Sequence, residues 1–354
     1  MSRLYSNMKF LRFTDRVAAL TEGRVPAPVH VRIKPINRCN HNCWYCAYRV
    51  DNLALGEDMD LHDRIPTDKM FEIVDDVIGM GAKAVTFSGG GEPLLYKELP
   101  QVVATLGAAG IKVAALTNGS NLKGAMADAF ADHGTWIRVS LDAWDDASYT
   151  ASRGAPEGGF TRLIENMAAF TARGSNCVLG TSLIVGEANH GHIVEICRIL
   201  KGAGVNHVKI SGAVVSNDVG ENNLYHRRIA DTVAAQIAEA QRLADNRFGI
   251  VNHYHELEER FEKPYRWCPF MQFLTVIGAD CRVYACQDKA YTASGMLGSI
   301  AERRFRDFWF SDENRERLRA LDPSQTCHHH CVAHQKNVVL HEILSIDPEH
   351  ACFV

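Results

Sequence analysis

The sequence predicts an α/β protein built as a partial (β/α)6 barrel with a smaller cysteine-rich unit at its C-terminal end. Two observations predict it. From about residue 30 to residue 211, short β-branched runs alternate with amphipathic helical stretches, the pattern of consecutive βα units in a parallel sheet. Beyond that point the alternation stops, and five cysteines fall between Cys268 and Cys331.

Six runs read as strands: VRIKPI (31–36), AVTFS (84–88), KVAALT (112–117), WIRVSL (136–141), VLGTSLIV (178–185) and HVKIS (207–211). The gaps between them carry helical period. Pro66, at the first helical position, opens a helix running to Met80, and others are expected near 98–109, 122–133, 160–173 and 190–203. An alanine-rich helix over about 227–246 leads to the tail, which places a boundary near residue 250. The expected units are therefore an N-terminal extension (1–27), the barrel (28–250) and the cysteine-rich unit (251–354). The chain has no internal repeat or Gly/Ser linker, so the tail is expected to pack on the barrel.

Composition narrows the function. With 354 residues, 46% hydrophobic and 23% charged, the chain has the balance of a globular protein that buries a large core. A formal net charge of -4 without a long basic run argues against a nucleic-acid partner, and the absence of a long apolar run argues against a membrane. The N-terminus lacks a signal-peptide pattern, so a cytoplasmic location is expected. There, thiols stay reduced and serve metals or catalysis. The eleven cysteines are unevenly placed, with three in Cys39 to Cys46, five from Cys268 to Cys331, and Cys177, Cys197 and Cys352 apart. Two metal sites are expected.

The first is CNHNCWYC, whose Cys39, Cys43 and Cys46 follow the first strand directly, at the end of a βα barrel where chemistry resides. Three thiolates hold three corners of a four-iron cluster and leave one iron open. A zinc knuckle completed by a distant ligand such as His41 is the alternative that spacing leaves open. After the second strand comes FSGGGEP, in which Gly89, Gly90 and Gly91 allow close backbone approach and Glu92 offers a carboxylate. TNGS closes the third strand, with Asn118, and VSLDAWDDASYTASRG closes the fourth, with Ser140, Asp142 and Arg153. Each of these is equally at home as a turn or cap residue.

The three-cysteine spacing, with Tyr45 before the last thiol and the Gly-Gly-Gly-Glu segment after the second strand, resembles the radical S-adenosylmethionine (SAM) superfamily, whose fold is a partial TIM-like barrel. The resemblance implies that Cys39, Cys43 and Cys46 bind a 4Fe-4S cluster whose open iron takes SAM through its amino and carboxylate groups. It further implies that Gly89, Gly90, Gly91 and Glu92 receive the SAM ammonium, that Ser140 serves its ribose, that Arg153 meets its carboxylate, and that Asn118 is among the cofactor-binding residues. Leu183 and Val185 are expected against the adenine, or as plain core.

The tail reads CPFMQFLTVIGADCRVYAC and then, after about 40 residues, CHHHC. Cys268, Cys286, Cys327 and Cys331 form two pairs brought together by a hairpin and an intervening helix over 305–320, and four thiolates close a full cluster or a structural zinc site. The succession of Cys-Pro, a strand, a glycine turn, Tyr-x-Cys, MLGSI and a helix ending in paired cysteines resembles the SPASM/twitch extensions of radical SAM enzymes, which implies a second, auxiliary 4Fe-4S cluster. Cys281 is a surplus thiol there: a candidate hydrogen donor, an alternative ligand or a buried small apolar residue. His328, His329, His330 and His334 surround the last cysteines and can ligate metal or bond a sugar hydroxyl.

Read through this resemblance, the chain is a radical SAM oxidoreductase or epimerase. It is expected to take hydrogen from an unactivated carbon of a small-molecule substrate (a sugar, aminocyclitol or nucleotide sugar), with a flavodoxin- or ferredoxin-type electron donor. A peptide-modifying radical SAM enzyme is the first alternative. A non-catalytic iron-sulfur electron carrier or sensor is the second.

Overall fold

Six parallel strands succeed one another through the first two thirds of the chain: β1 (His30–Ile33), β2 (Ala84–Phe87), β3 (Lys112–Thr117), β4 (Gly134–Ser140), β5 (Val178–Val185) and β6 (His207–Gly212). Each pairs in parallel with the next. The computed structural model describes residues 5–50, 53, 55–254 and 261–353. Intervening helices fall where their periodicity places them, at Thr67–Gly79, Leu99–Ala108, Gly124–His133, Gly159–Thr171 and Ile193–Gly202. A further short helix, Asp146–Arg153, starts in a capping box made by Asp145 and Ser148.

The sheet does not stop at six strands. A seventh, β7 (Gly249–Asn252), adds in parallel to β6, while β8 (Leu274–Ile277) adds in parallel to β1, His30 opposite Leu274 through Ile33 opposite Ile277. Antiparallel strands β9 (Arg282–Tyr284) and β10 (Met296–Ser299) continue outward from β8, giving the order β10-β9-β8-β1-β2-β3-β4-β5-β6-β7. The cysteine-rich unit is thus hydrogen-bonded into the barrel sheet, where simple packing was expected. It is pinned from the outside as well, since Arg304 Nε donates to Asp76 Oδ1 at 2.8 Å and the buried Trp309 indole N–H donates to Pro26 O at 2.8 Å.

One expected helix is shorter than its composition suggests, and another is broken. The alanine-rich stretch forms Ala230–Gln241, preceded by a separate helix Val219–Arg227 whose N-cap Asp218 accepts from the Glu221 N–H. The 305–320 segment divides into Phe305–Trp309 and Asp312–Ala320, because the Ser311 side chain accepts from the Asn314 N–H and restarts the helix. Pro66 precedes its helix as the capping residue, so the helix itself begins at Thr67.

The pleat sorts the strand residues into two environments. Val31 and Ile33 of β1, Phe87 of β2, Ile137 and Val139 of β4 and Ile210 of β6 are fully buried against the helices in one large core. Each such side chain contributes roughly 1.5–3 kcal/mol by leaving water. The opposite face lines the lumen, and there β1 presents His30, Arg32 and Lys34, while β4 presents Trp136, Arg138 and Ser140.

Candidate active site and metal centres

The cysteine loop leaves the top of β1 and is fixed from two sides. Asn42 N–H donates to Arg153 O at 2.7 Å and Trp44 N–H to Ser152 O at 3.2 Å, so the C-terminus of the helix Asp146–Arg153 holds the loop's backbone. Cys39, Cys43 and Cys46 are free, half-buried thiols. Burial raises the Cys43 thiol to about 11 against the pull of Arg153, and the neighbouring Cys46 and Cys39 add to the rise. Arg153 is itself 1% exposed; its guanidinium pairs with Asp142 at 2.5 Å, donates to Tyr45 Oη at 2.6 Å and reaches Cys43 Sγ at 3.6 Å. The structure thereby gathers the three thiols, Tyr45, Asp142 and Arg153 at one end of the barrel.

The glycine segment lies directly on this loop. Gly91 N–H donates to Ile36 O and Glu92 N–H to Arg38 O, and a Cβ on Gly91 would stand 2.1 Å from Arg38 O, one on Gly90 2.2 Å from Asn37 Oδ1. Only glycine permits that approach. Glu92, 2% exposed, accepts from Leu94 N–H (3.0 Å), Thr117 Oγ1 (2.5 Å) and Asn118 N–H (2.7 Å), so it braces the ends of β2 and β3 as well as facing the loop. Burial pushes its carboxyl upward, and those three donors pull it back. Asn118 in turn donates to Asn40 Oδ1 at 2.9 Å, tying β3 to the cysteine loop. Beside them Ser88 Oγ and His41 Nδ1 are buried with no partner among the described residues.

Ser140 faces the lumen from β4, half-buried. Leu183 and Val185 do not. The two-residue period of β5 sends both to the helix-covered face, where they are fully buried in the core, and presents Ser182 and Ile184 inward in their place.

The C-terminal thiols come from three separate stretches. Cys268 precedes the turn Pro269–Gln272, Cys286 precedes Gln287–Lys289, Cys327 ends the helical turn Pro323–Thr326, and Cys331 lies just before the helix His334–Leu344. They converge: Cys286 is held well above the ordinary thiol range by burial, then by Asp288, and then by Cys331, Cys268 and Cys327. Asn337 Nδ2 donates to Cys268 Sγ at 3.2 Å, and Lys289 Nζ to Thr326 O at 2.8 Å beside Cys327. Among the described residues, no three His, Cys, Asp or Glu side chains close on a single-ion position. An open cleft of about 330 Å³ borders Cys327, lined in part by Asp218, Phe261, Lys263 and His328.

Cys281 stands apart from both groups. It sits in the β8–β9 turn at φ +57°, buried in the large core, and the charges around it are Asp280, Asp63 and, from the helix Thr67–Gly79, Lys69 and Glu72. Burial raises its thiol to about 11. Of the histidines, His328 is exposed and bonded to Gln325 O, His329 is buried and pushed down to about 3, and His334 stacks on Tyr265.

Between the two thiol groups stand residues that the motif reading passed over. Lys34, fully buried, donates to Tyr48 Oη at 2.7 Å and to Gly89 O at 2.5 Å, and Tyr48 Oη donates onward to Gln287 O at 3.1 Å. Burial and then Arg32 push the Lys34 ammonium down to about 7, while Asp288, Cys46 and Cys286 pull it up; one amine therefore senses a thiol of each group. The signal was present in HVRIK, where basic side chains recur at every second position of a strand that a parallel sheet buries on both faces.

The sequence model of the Radical SAM superfamily matches residues 33–190, the segment that carries the cysteine loop, the glycine segment and Arg153. The chain is 27% identical over 193 residues to a GTP 3',8-cyclase of Xanthomonas campestris, covering 54% of this chain and 56% of that one. It is 32% identical over 108 residues to an S-adenosylmethionine-dependent nucleotide dehydratase of Lacinutrix mariniflava, covering 30% of this chain and 22% of that one. The chain thus spans about half the length of the first of these relatives, and less of the second. In fold it is similar to Streptococcus suis SuiB bound to S-adenosylmethionine (TM-score 0.63, 17% identity, 90% of this chain and 75% of that one). It is similar also to anSMEcpe with bound AdoMet (TM-score 0.58, 14% identity, 90% and 96%).

Proposed function

Residues 33–190 are a radical SAM domain, and from that premise we propose that this enzyme removes hydrogen from an unactivated carbon of a small, polar, carbohydrate-like molecule lying between two iron-sulfur clusters, and oxidises it. The superfamily's SAM and 4Fe-4S cluster fit the N-terminal loop. Three gathered thiols leave one iron open, the glycine cradle admits a ligand edge, and Ser88 Oγ and His41 Nδ1 are buried groups lacking a partner. When bound, they would supply the radical chemistry that takes a hydrogen atom from the substrate.

An auxiliary 4Fe-4S cluster is our reading of Cys268, Cys286, Cys327 and Cys331. The observation that carries the proposal is Lys34, a buried amine bonded to Gly89 O in the glycine segment and, through Tyr48, linked to Gln287 O next to Cys286. On this reading the space between the two thiol groups is the chamber where a substrate meets both. With its ammonium destabilised by burial, Lys34 is placed to take the proton that an alcohol loses on oxidation. The alternative of inversion by Cys281 has no support from its position in the core beside Lys69 and Glu72.

The named activities of the curated relatives favour a nucleotide-linked member of the carbohydrate-like class. Eleven free thiols favour a reducing, cytoplasmic setting and a flavodoxin- or ferredoxin-type donor, and among the described residues no helix is long and apolar enough to cross a membrane. The test is anaerobic reconstitution followed by dithionite. We expect about eight irons per chain and release of 5'-deoxyadenosine. Four irons with one zinc overturns the auxiliary cluster; no SAM cleavage leaves an electron carrier.

A further inference from the structure

Two guanidiniums in the lumen beneath Lys34 have few partners among the described residues. Arg32 of β1 and Arg138 of β4 both point inward by strand parity, from opposite walls of the barrel. Arg32 makes no hydrogen bond or ion pair among the described residues, and its Nε is buried without a partner. Arg138 Nε is buried and unpartnered too; among the described residues the guanidinium's one hydrogen bond runs from Nη1 to Tyr5 Oη at 3.4 Å, and it lies 5.8 Å from the Trp136 ring centre. Burial disfavours the Arg32 charge, and Arg138 lies close enough to disfavour it further. Asp288 is within electrostatic reach of Arg32 and pulls the other way, without forming an ion pair.

Aromatic and imidazole side chains lie beneath them, and Lys209 Nζ stands 5.9 Å from the Tyr5 ring centre. Tyr5 Oη meets His207 Nε2 at 3.0 Å, and its ring packs edge-on against His207 and His253. His30 and His207 are pushed down by burial to about 3 and about 4, so neither adds a charge. A guanidinium cannot shed its proton, and buried charges are retained where something pairs with them. An oxyanion entering from the open end meets two planar forks converging from opposite sides.

We propose that Arg32 and Arg138 form a binding site for a phosphate group of the substrate, seated in the lumen below Lys34. A phosphate's charge of about −1.5 to −2 matches two guanidiniums, where a carboxylate leaves one uncompensated. Arg32 lies two residues before Lys34, one pleat repeat or about 6 to 7 Å deeper, so the phosphate anchors the buried end of the molecule and its reacting carbon stays level with the amine. The site rests on the reading that the lumen is the substrate chamber, and it narrows that substrate to a phosphate ester.

The test follows thermal unfolding of the reconstituted, cluster-loaded protein with ribose 5-phosphate, ribose, inorganic phosphate or acetate, in chloride at matched ionic strength. Ribose 5-phosphate and inorganic phosphate raise the midpoint, and ribose and acetate do not. In Arg32→Gln or Arg138→Gln the apparent affinity for ribose 5-phosphate falls roughly ten- to a hundredfold, and less in Arg32→Lys, which keeps the charge but loses the fork. No shift in wild type, or a shift undiminished in both glutamine variants, overturns the site. Acetate as effective as phosphate overturns the phosphate assignment, and a response to inorganic phosphate alone means an adventitious ion only. SAM cleavage in the same samples separates the two readings. Wild type that cleaves SAM but ignores phosphate sinks this site alone, and wild type that binds ribose 5-phosphate without cleaving SAM sinks the proposed function.

Discussion

The two thiol groups are built in opposite ways. Cys39, Cys43 and Cys46 come from one loop of eight residues, whose backbone is tied to the helix end at Arg153 and to the glycine segment. Cys268, Cys286, Cys327 and Cys331 come from three stretches, and they meet only because β8 and β9 extend the sheet and the helix His334–Leu344 folds back to place Asn337 on Cys268. A local site depends on a few turns. A dispersed one depends on the whole C-terminal fold, so damage to the two should differ in reach.

The largest expected effect is at the local site. Replacing Cys39, Cys43 and Cys46 together by alanine should abolish 5'-deoxyadenosine release, measured by chromatography, and drop iron from about eight to about four per chain while the auxiliary absorbance persists. Loss of all colour would mean that the two groups are not independent. Next comes the residue between them. Lys34→Met should lower kcat by roughly 10²- to 10⁴-fold, the worth of a general base. In the wild type, activity should rise as pH climbs through about 7, because the working form is the neutral amine and its fraction grows above that value. A limb that survives in Lys34→Met would assign the base elsewhere.

Glu92 gives a smaller effect with two components. Because the carboxylate also accepts from Leu94, Thr117 and Asn118, Glu92→Gln is the sharper probe than alanine. It should weaken SAM binding about tenfold in calorimetry by removing one charge-assisted bond. Equal loss of melting temperature with unchanged SAM affinity would make Glu92 purely a brace. Smallest of all is Cys281→Ser, expected to leave iron content, SAM cleavage and product unaltered, since Cys281 lies in the core by Lys69 and Glu72. Disappearance of product with SAM cleavage intact would restore it as the hydrogen donor.

Much of this was legible in the residues. Strand runs such as KVAALT and VLGTSLIV carry apolar, β-branched side chains bounded by turns, and both strands begin and end where the run does. The thiol spacings, the glycine segment and Arg153 announced themselves as motifs. What stayed hidden depends on partners distant in sequence. Nothing in LTVI states that it pairs with β1 some 240 residues earlier, and that pairing is what makes the sheet continuous. Leu183 and Val185 are as apolar as an adenine pocket requires, but their parity could be assigned only once Ser182 was seen opposite Lys209. The break at Ser311 reflects a single capping choice within a stretch of good helical composition.

The place of β1 in the sheet also bears on how the chain is made. Its two neighbours are β2, which emerges soon after it, and β8, which leaves the ribosome only when most of the chain has been synthesised. At about 5–20 residues per second, the strand that ends just before Cys39 waits many seconds with one edge unpaired. Until β8 arrives, the nascent barrel carries an open β edge just before the cysteine loop, which makes that interval the time of greatest exposure to mispairing.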